Sequence, residues 1–251
     1  MIQSKPDLPR LFSVLEATWP AAAQIDTGPW TLREGRGGGK RVSAATARAP
    51  WRLDDVSAAE TAMRLMGQDP LFMIRESLTR SDQTLDVTLD SQGYDAVDAT
   101  QLWLAPVSAL CERPLPRVCA FTIWEPLAIM HDIWAEGDIT EPRLAVMDRV
   151  TGPKTGIFGR VSDSPAGSGF CALHEGTAMV HALHILPDHR GKGLGGWMMR
   201  AAAFWARSKG ASWIACASTK QNTAASALYQ SLRMEAVGGY HYRMLTAKED
   251  P

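Results

Sequence analysis

The sequence predicts an α/β chain whose C-terminal half carries a mixed, mostly antiparallel sheet flanked by helices. Three observations lead there. Segments with apolar alternation and segments with apolar residues at helical spacing take turns along the whole chain, the first reading as strands and the second as helices. Three strand-like segments follow one another directly between Thr155 and Leu186, which makes a meander. The last of these runs into Ala178–Trp197, AMVHALHILPDHRGKGLGGW, a strand, a corner, a glycine-rich turn and the start of a helix.

The elements read in order as follows. Leu8 to Thr18 has apolar residues at helical intervals and Pro20 ends it. Trp30–Glu34 and Arg41–Thr46 read as a hairpin joined by Gly35–Lys40. That joint resembles a P-loop but lacks the Ser or Thr after its lysine, and a strand follows it. Ser57-Ala-Ala-Glu60 is a capping box opening a helix to about Met66. Leu71–Arg75 is a strand, Ser81–Ser91 a helix stopped by Gly93, and Tyr94–Leu104 one or two strands. The proline-rich stretch from Ala105 to Arg117 reads as a linker. The expected domains are therefore residues 1–105, a linker at 106–117, and residues 118–251.

Beyond the linker come a strand at Val118–Trp124 and a helix at Pro126–Ala135 stopped by Gly137. A helix at Thr140–Arg149 follows, then a hairpin of Thr155–Ser162 and Gly169–His174 turning at Pro165-Ala-Gly167. After the Ala178 strand come a helix from Trp197 to Lys209 with Gly210 behind it and a buried strand at Ala211–Ala217. A helix opening at Asn222 and two strands, Met234–Gly238 and Tyr240–Leu245, close the chain. The order from Val118 onward is β-α-α-β-β-β-α-β-α-β-β.

Composition narrows the function classes. The 251 residues are 45% hydrophobic and 21% charged with a net charge of −1, so nothing advertises nucleic acid or an anionic membrane. No stretch is long and apolar enough to span a bilayer, and the start, MIQSKPDLPR, has no signal-peptide pattern. Cys111, Cys119, Cys171 and Cys216 show neither C-x-x-C nor zinc spacing. Free thiols without a metal fit a reducing, cytoplasmic setting.

The glycine-rich turn carries the chemistry. Glycines let successive backbone N–H groups point one way at a helix mouth, which holds orphan donors and about half a positive charge. This is a phosphate-binding turn. Gly191, Gly193 and Gly196 match the dinucleotide pattern G-x-G-x-x-G, yet Pro187–Arg190 separate strand from glycines and no acidic residue ends the next strand. Ser218 and Lys220 would suit a 2′-phosphate, but too few strands follow the glycines for a full dinucleotide fold, so an NADP-dependent oxidoreductase ranks last. A turn serving only helix–sheet packing is the ordinary alternative.

Arg190, Gly193 and Gly195 also match [Q/R]-x-x-G-x-[G/A]. Downstream, Asn222-Thr-Ala-Ala225-Ser-Ala-Leu228-Tyr229 matches N-x-x-A-x-x-L-Y. With these two motifs one helix and one strand apart, the chain resembles the GNAT superfamily of acyl-CoA-dependent N-acyltransferases, closely over its C-terminal half. The N-terminal half resembles a reduced GNAT-like domain without the glycine turn, placed to wall in an acceptor pocket. The resemblance implies acetyl-CoA as co-substrate, a small-molecule or peptide amine as acceptor, and direct attack without a covalent enzyme intermediate, metal or flavin. Backbone near Leu183, His184 and Ile185 would serve the pantetheine arm and thioester carbonyl where two strands splay apart. Amides of Gly191, Lys192, Gly193, Leu194, Gly195 and Gly196 would hold the pyrophosphate, with the Arg190 and Lys192 charges adding to the field. Asn222 would bind the coenzyme or cap its helix. Tyr229 matches the tyrosine that protonates the leaving thiolate. His181, which alternation puts on one face with Leu183 and Ile185 and away from His184, is the chosen base; Glu125 and Glu175 are its rivals. Tyr240–Arg243 is a further candidate wall of the acceptor pocket. A non-catalytic acyl-CoA-binding module, in which Tyr229 only packs, is the alternative.

Overall fold

The computed structural model describes residues 3–76 and 78–245. In chain order the first elements are α1 (Leu8–Thr18), β1 (Ala23–Thr27), β2 (Trp30–Glu34), β3 (Thr46–Ala47), α2 (Leu53–Leu65), β4 (Leu71–Arg75), α3 (Arg80–Ser91), β5 (Asp95–Pro106) and α4 (Val107–Leu110). Then come β6 (Ala120–Ile123), α5 (Ala128–Ala135), α6 (Glu141–Arg149), β7 (Lys154–Val161), β8 (Ser164–His174), β9 (Thr177–Ile185), α7 (Leu194–Ser208), β10 (Trp213–Thr219), α8 (Thr223–Ser231) and β11 (Glu235–Met244).

These elements form two compact units that interleave in sequence. One takes the chain up to Pro20, Leu102–Ser218 and Asn222–Val237; the other takes Ala21–Gln101, Thr219–Gln221 and the chain from Gly238. The boundaries fall elsewhere than 105 and 118. The stretch read as a linker holds α4, whose Val107 and Leu110 are buried in the core of the first unit, and Val107 N–H donates to the Ser212 carbonyl at 2.9 Å.

In the first unit the strand order β10-β9-β8-β7-β6 is mixed. β6 to β9 are successively antiparallel, and β9 and β10 run parallel. The β7–β8 turn sits at Ser162 and Asp163, both with positive φ, as the twist of a two-residue hairpin prefers. Pro165 and Gly167, the expected turn, are instead part of β8. Alternation along β8 then sorts the two sheet faces. A β-carbon at Gly167 would meet the Met198 sulfur of α7 at 2.9 Å, so that face packs on α7. Ser168 and Phe170 face the other way, Ser168 donating to Met130 O of α5 and Phe170 lying against Trp19 and Trp124. Burying Met198, Met199 and the alanines of α7 is the main hydrophobic stabilisation on the first face.

In the second unit, β1, β2 and β3 form one sheet, and β11 pairs antiparallel with β4. The expected hairpin of 30–34 with 41–46 survives only at its open end, where Thr31 pairs with Thr46. β2 pairs with β1 through the Gly28 turn and with β3, and Lys40–Val42 is a 3-10 turn. β1 escapes a periodicity reading because four of its five residues are exposed; backbone pairing alone makes it a strand. α2 starts four residues early, since the Asp55 carboxylate accepts from Arg52 N–H at 2.7 Å and so caps the helix there. The two closing strands are one, β11. The core gathers Trp30, Phe72, Leu85, Leu89 and Tyr94.

Candidate active site

β9 and β10 pair from Thr177↔Trp213 to Val180↔Cys216 and no further, although β9 continues to Ile185 and β10 to Thr219. Past Val180 the two strands part. The local cause lies on the other side of β9. His181 stands opposite Phe170 and His184 opposite Ser168, so three steps on β9 answer two on β8. That is a β-bulge, centred on Ala182 with φ +50, which leaves an extra residue out of the ladder and bends the strand.

The bulge corrects the face assignment. His181 and His184 now share the face of Phe170 and Ser168, while Leu183 lies 3.1 Å from the Gly169 β-carbon position, toward the α7 side. His181 is buried, its Nε2 lies 2.9 Å from Thr18 Oγ1, and its ring lies against Trp19. Because Thr18 Oγ1 donates to Val14 O, its hydroxyl accepts from the imidazole. His181 joins α1 to the sheet and is not among the residues around the cleft described next.

A cleft of ≈ 600 Å³ opens where the strands part, lined by Leu183, His184 and Ile185, by the turn before α7, and by one face of α8. Gly191 and Gly193 have φ of +72 and +78, a left-handed conformation that residues with a β-carbon resist. No atom lies within 4 Å of a β-carbon position at either, so backbone conformation, not space, selects glycine. Gly195 differs: its β-carbon would meet Leu228 at 2.9 Å and Ile185 at 3.2 Å, which is helix packing. Both readings of the glycine pattern thus apply, at different glycines. α7 has no side-chain N-cap and no acid in its first turn; Gly196 N–H already donates to Gly193 O at 3.2 Å, so the amides ahead of it and the helix dipole point at the cleft unneutralised. Arg190, exposed at the rim, donates from Nε to Ile185 O at 2.9 Å and pins the turn to the strand. Lys192 is exposed and does not line the cleft.

From α8, Asn222 Oδ1 accepts from Ala225 N–H at 2.9 Å, capping its helix while lining the cleft. Tyr229 is 5% exposed and packs on Trp103 with ring centroids 5.8 Å apart. Burial, and then the neighbouring Cys216 thiol, raise its pKa well above the usual phenol value. His184 and His189, the latter missed in the sequence, line the cleft, and among the described residues the buried His184 Nε2 and His189 Nδ1 have no hydrogen-bond partner. Burial first, then the Arg190 charge, lower the His184 pKa against the opposing Glu136 and Asp138, so the imidazole is neutral at neutral pH. Of the other candidates, Glu125 is exposed beyond β6 and Glu175 sits in the β8–β9 turn beside Arg10. Tyr240–Arg243 are held inside the second unit, by Arg41 on Tyr240 and by Asp86 on His241 and Arg243.

Residues 124–233 match the family model described as acetyltransferase (GNAT) family. This stretch is a GNAT domain. YobR of Bacillus subtilis, described as an uncharacterized N-acetyltransferase, is 27% identical over 250 residues, covering 95% of this chain and 98% of its own. A GCN5-related N-acetyltransferase from Kribbella flavida superposes with a TM-score of 0.72 at 18% identity, covering 96% of both chains. A tandem GNAT protein of the clavulanic acid pathway gives 0.59 at 13% identity, over 94% of this chain and 88% of its own. At these identities the two structures speak to fold alone, and the fold is that of two GNAT-like halves. The family places acyl transfer in the GNAT domain. A dinucleotide fold is excluded for it, since β6 to β9 are antiparallel where that fold needs parallel strands.

Proposed function

We propose that the cleft binds acetyl-CoA and that the chain is an N-acetyltransferase, moving the acetyl group to a primary amine by direct attack. The observation that carries this is the parting of β9 and β10 beyond Val180 and Cys216, which opens onto an uncapped helix N-terminus on one side and Tyr229 on the other. The amides of Gly191 to Gly195 suit a pyrophosphate, and strand backbone at Leu183–Ile185 suits the amide-bearing pantetheine arm.

In the reaction the amine lone pair attacks the thioester carbonyl, the C–S bond breaks, and one proton leaves nitrogen while one joins sulfur. Tyr229, held protonated by burial, gives its proton to the leaving thiolate. A raised phenol pKa does not spoil the match, because the same surroundings push the Cys216 thiol up as well and would do so to a coenzyme thiol. His184, neutral and lining the cleft, takes the proton from nitrogen, in place of His181, whose Nε2 is engaged by Thr18 away from the cleft. Direct attack is favoured over a cysteinyl intermediate because burial raises the pKa of Cys216, and a protonated thiol is a poor nucleophile. The four cysteines are unpaired, in keeping with a reducing compartment.

Titration calorimetry with acetyl-CoA, followed by thiol-release assays over a panel of amines, tests the reading. Micromolar binding with amine-dependent release of coenzyme A is expected; binding without turnover on any amine would favour an acyl-CoA-binding module.

A further inference from the structure

We propose that Cys216 is a positioning residue for acetyl transfer: its thiol holds the Tyr229 hydroxyl and aims the phenol proton at the leaving sulfur. The assignment rests on the reading of Tyr229 as the acid and gives that acid a partner.

The placement comes from β10. Cys216 is the last residue of β10 to pair with β9, opposite Val180, and Ser218 lies two positions on, where the strands have parted. Alternation puts both side chains on one face of the strand. From that face Ser218 Oγ accepts from Trp103 Nε1 at 3.1 Å, and the Trp103 ring packs against Tyr229. Cys216 is buried in the same core, and its thiol and the Tyr229 hydroxyl form a hydrogen bond. Among the described residues this is the one hydrogen bond of the Tyr229 side chain. β10 therefore holds the phenol at two points, the ring through Trp103 and the oxygen through Cys216. Tyr229 itself lines the cleft.

The chemistry of a buried thiol fixes its part. Burial raises the Cys216 pKa far above the ordinary thiol value, so at neutral pH the sulfur keeps its proton. The like-charge effect of Cys216 on Tyr229 belongs to the thiolate, which forms only in strong base. At neutral pH the S–H donates to the phenol oxygen instead. That leaves the phenolic O–H free to turn toward the cleft. As the thioester C–S bond breaks, the phenol proton passes to the coenzyme sulfur while Cys216 keeps its own. The S–H hydrogen bond strengthens on the charge that builds on the phenol oxygen. Solvent returns a proton to the phenol once the coenzyme leaves.

The test is thiol release from acetyl-CoA by the full chain, with 2-phenylethylamine, 1,4-diaminobutane and lysine as acceptors. C216A is expected to lower kcat about fivefold, with acetyl-CoA affinity by calorimetry within about twofold. C216S keeps an O–H donor in place and should retain kcat within about twofold. In the Y229F background C216A should change kcat by less than about twofold, because the group it positions is gone. Unchanged kcat in C216A, a fall that persists in Y229F, or a C216S chain as slow as C216A would overturn the proposal. Raman spectroscopy reads the contact with no acceptor at all. The S–H stretching band that C216S removes should shift in Y229F, and an unmoved band would leave Cys216 to packing. A slow Y229F beside a full-speed C216A removes only this assignment, whereas a Y229F chain with full turnover removes the acid reading itself.

Discussion

The imidazole of His184 lies so close to Gly137 that a β-carbon there would come within 2.4 Å of Nδ1. The loop after α5 and the cleft strand thus meet through a residue with no side chain. A G137A substitution must displace the ring or the loop. It is expected to cost about 1–3 kcal/mol of stability, as overpacking does, and to lower kcat more than acetyl-CoA affinity. Denaturant unfolding and paired kinetic and binding measurements would show it; an unchanged kcat would remove His184 from the reaction.

The pH dependence follows from His184 itself. Its pKa in the folded chain lies below the ordinary histidine value, so the neutral base persists as pH falls into the weakly acidic range. The kcat profile should carry an acid limb below pH of about 6.5, and His184→Gln should flatten that limb while lowering kcat. The linkage has the same sign. The unfolded chain takes up this proton first, so stability is kept above the unfolded value and lost as pH falls toward and through the folded one.

Tyr229→Phe removes the proposed acid and keeps the ring against Trp103. A fall in kcat of about 10²–10⁴-fold is expected, with acetyl-CoA affinity within about twofold. Full turnover in this variant would mean that Tyr229 only packs.

Two glycines separate the causes. G193A places a β-carbon in open space but at φ +78, a cost of about 1–2 kcal/mol, and should weaken acetyl-CoA binding. Asparagine tolerates that conformation better, so G193N should recover part of the loss. G195A meets Leu228 and Ile185 instead; its cost is steric and asparagine there would be worse. Calorimetry on the three variants checks the ranking.

In the second unit Asp82, 0% exposed, accepts from Arg75 and Thr79. D82A leaves the Arg75 charge without its partner, and a loss of about 3–5 kcal/mol is expected, read by urea unfolding.

The local signals in the sequence were enough for most elements. β4, α1 and the end of α3 need only their own periodicity and caps, and the two motifs marked the turn before α7 and the face of α8. What failed were readings that depend on partners. β1 has no pattern of its own and exists through β2. The stretch after Ala105 looked like linker because its prolines are visible in the sequence, whereas the burial of Val107 and Leu110 is not.

The sequence by itself determined the glycine turn, the helix that follows it, and Tyr229 within a helical motif, because these rest on backbone conformation and residues a few positions apart. Only the tertiary structure decided which histidine meets the cleft. One extra residue at Ala182, set by pairing with a strand more than ten residues away, moves His184 onto the face of His181. Alternation counts residues along one strand, and a bulge is a property of two.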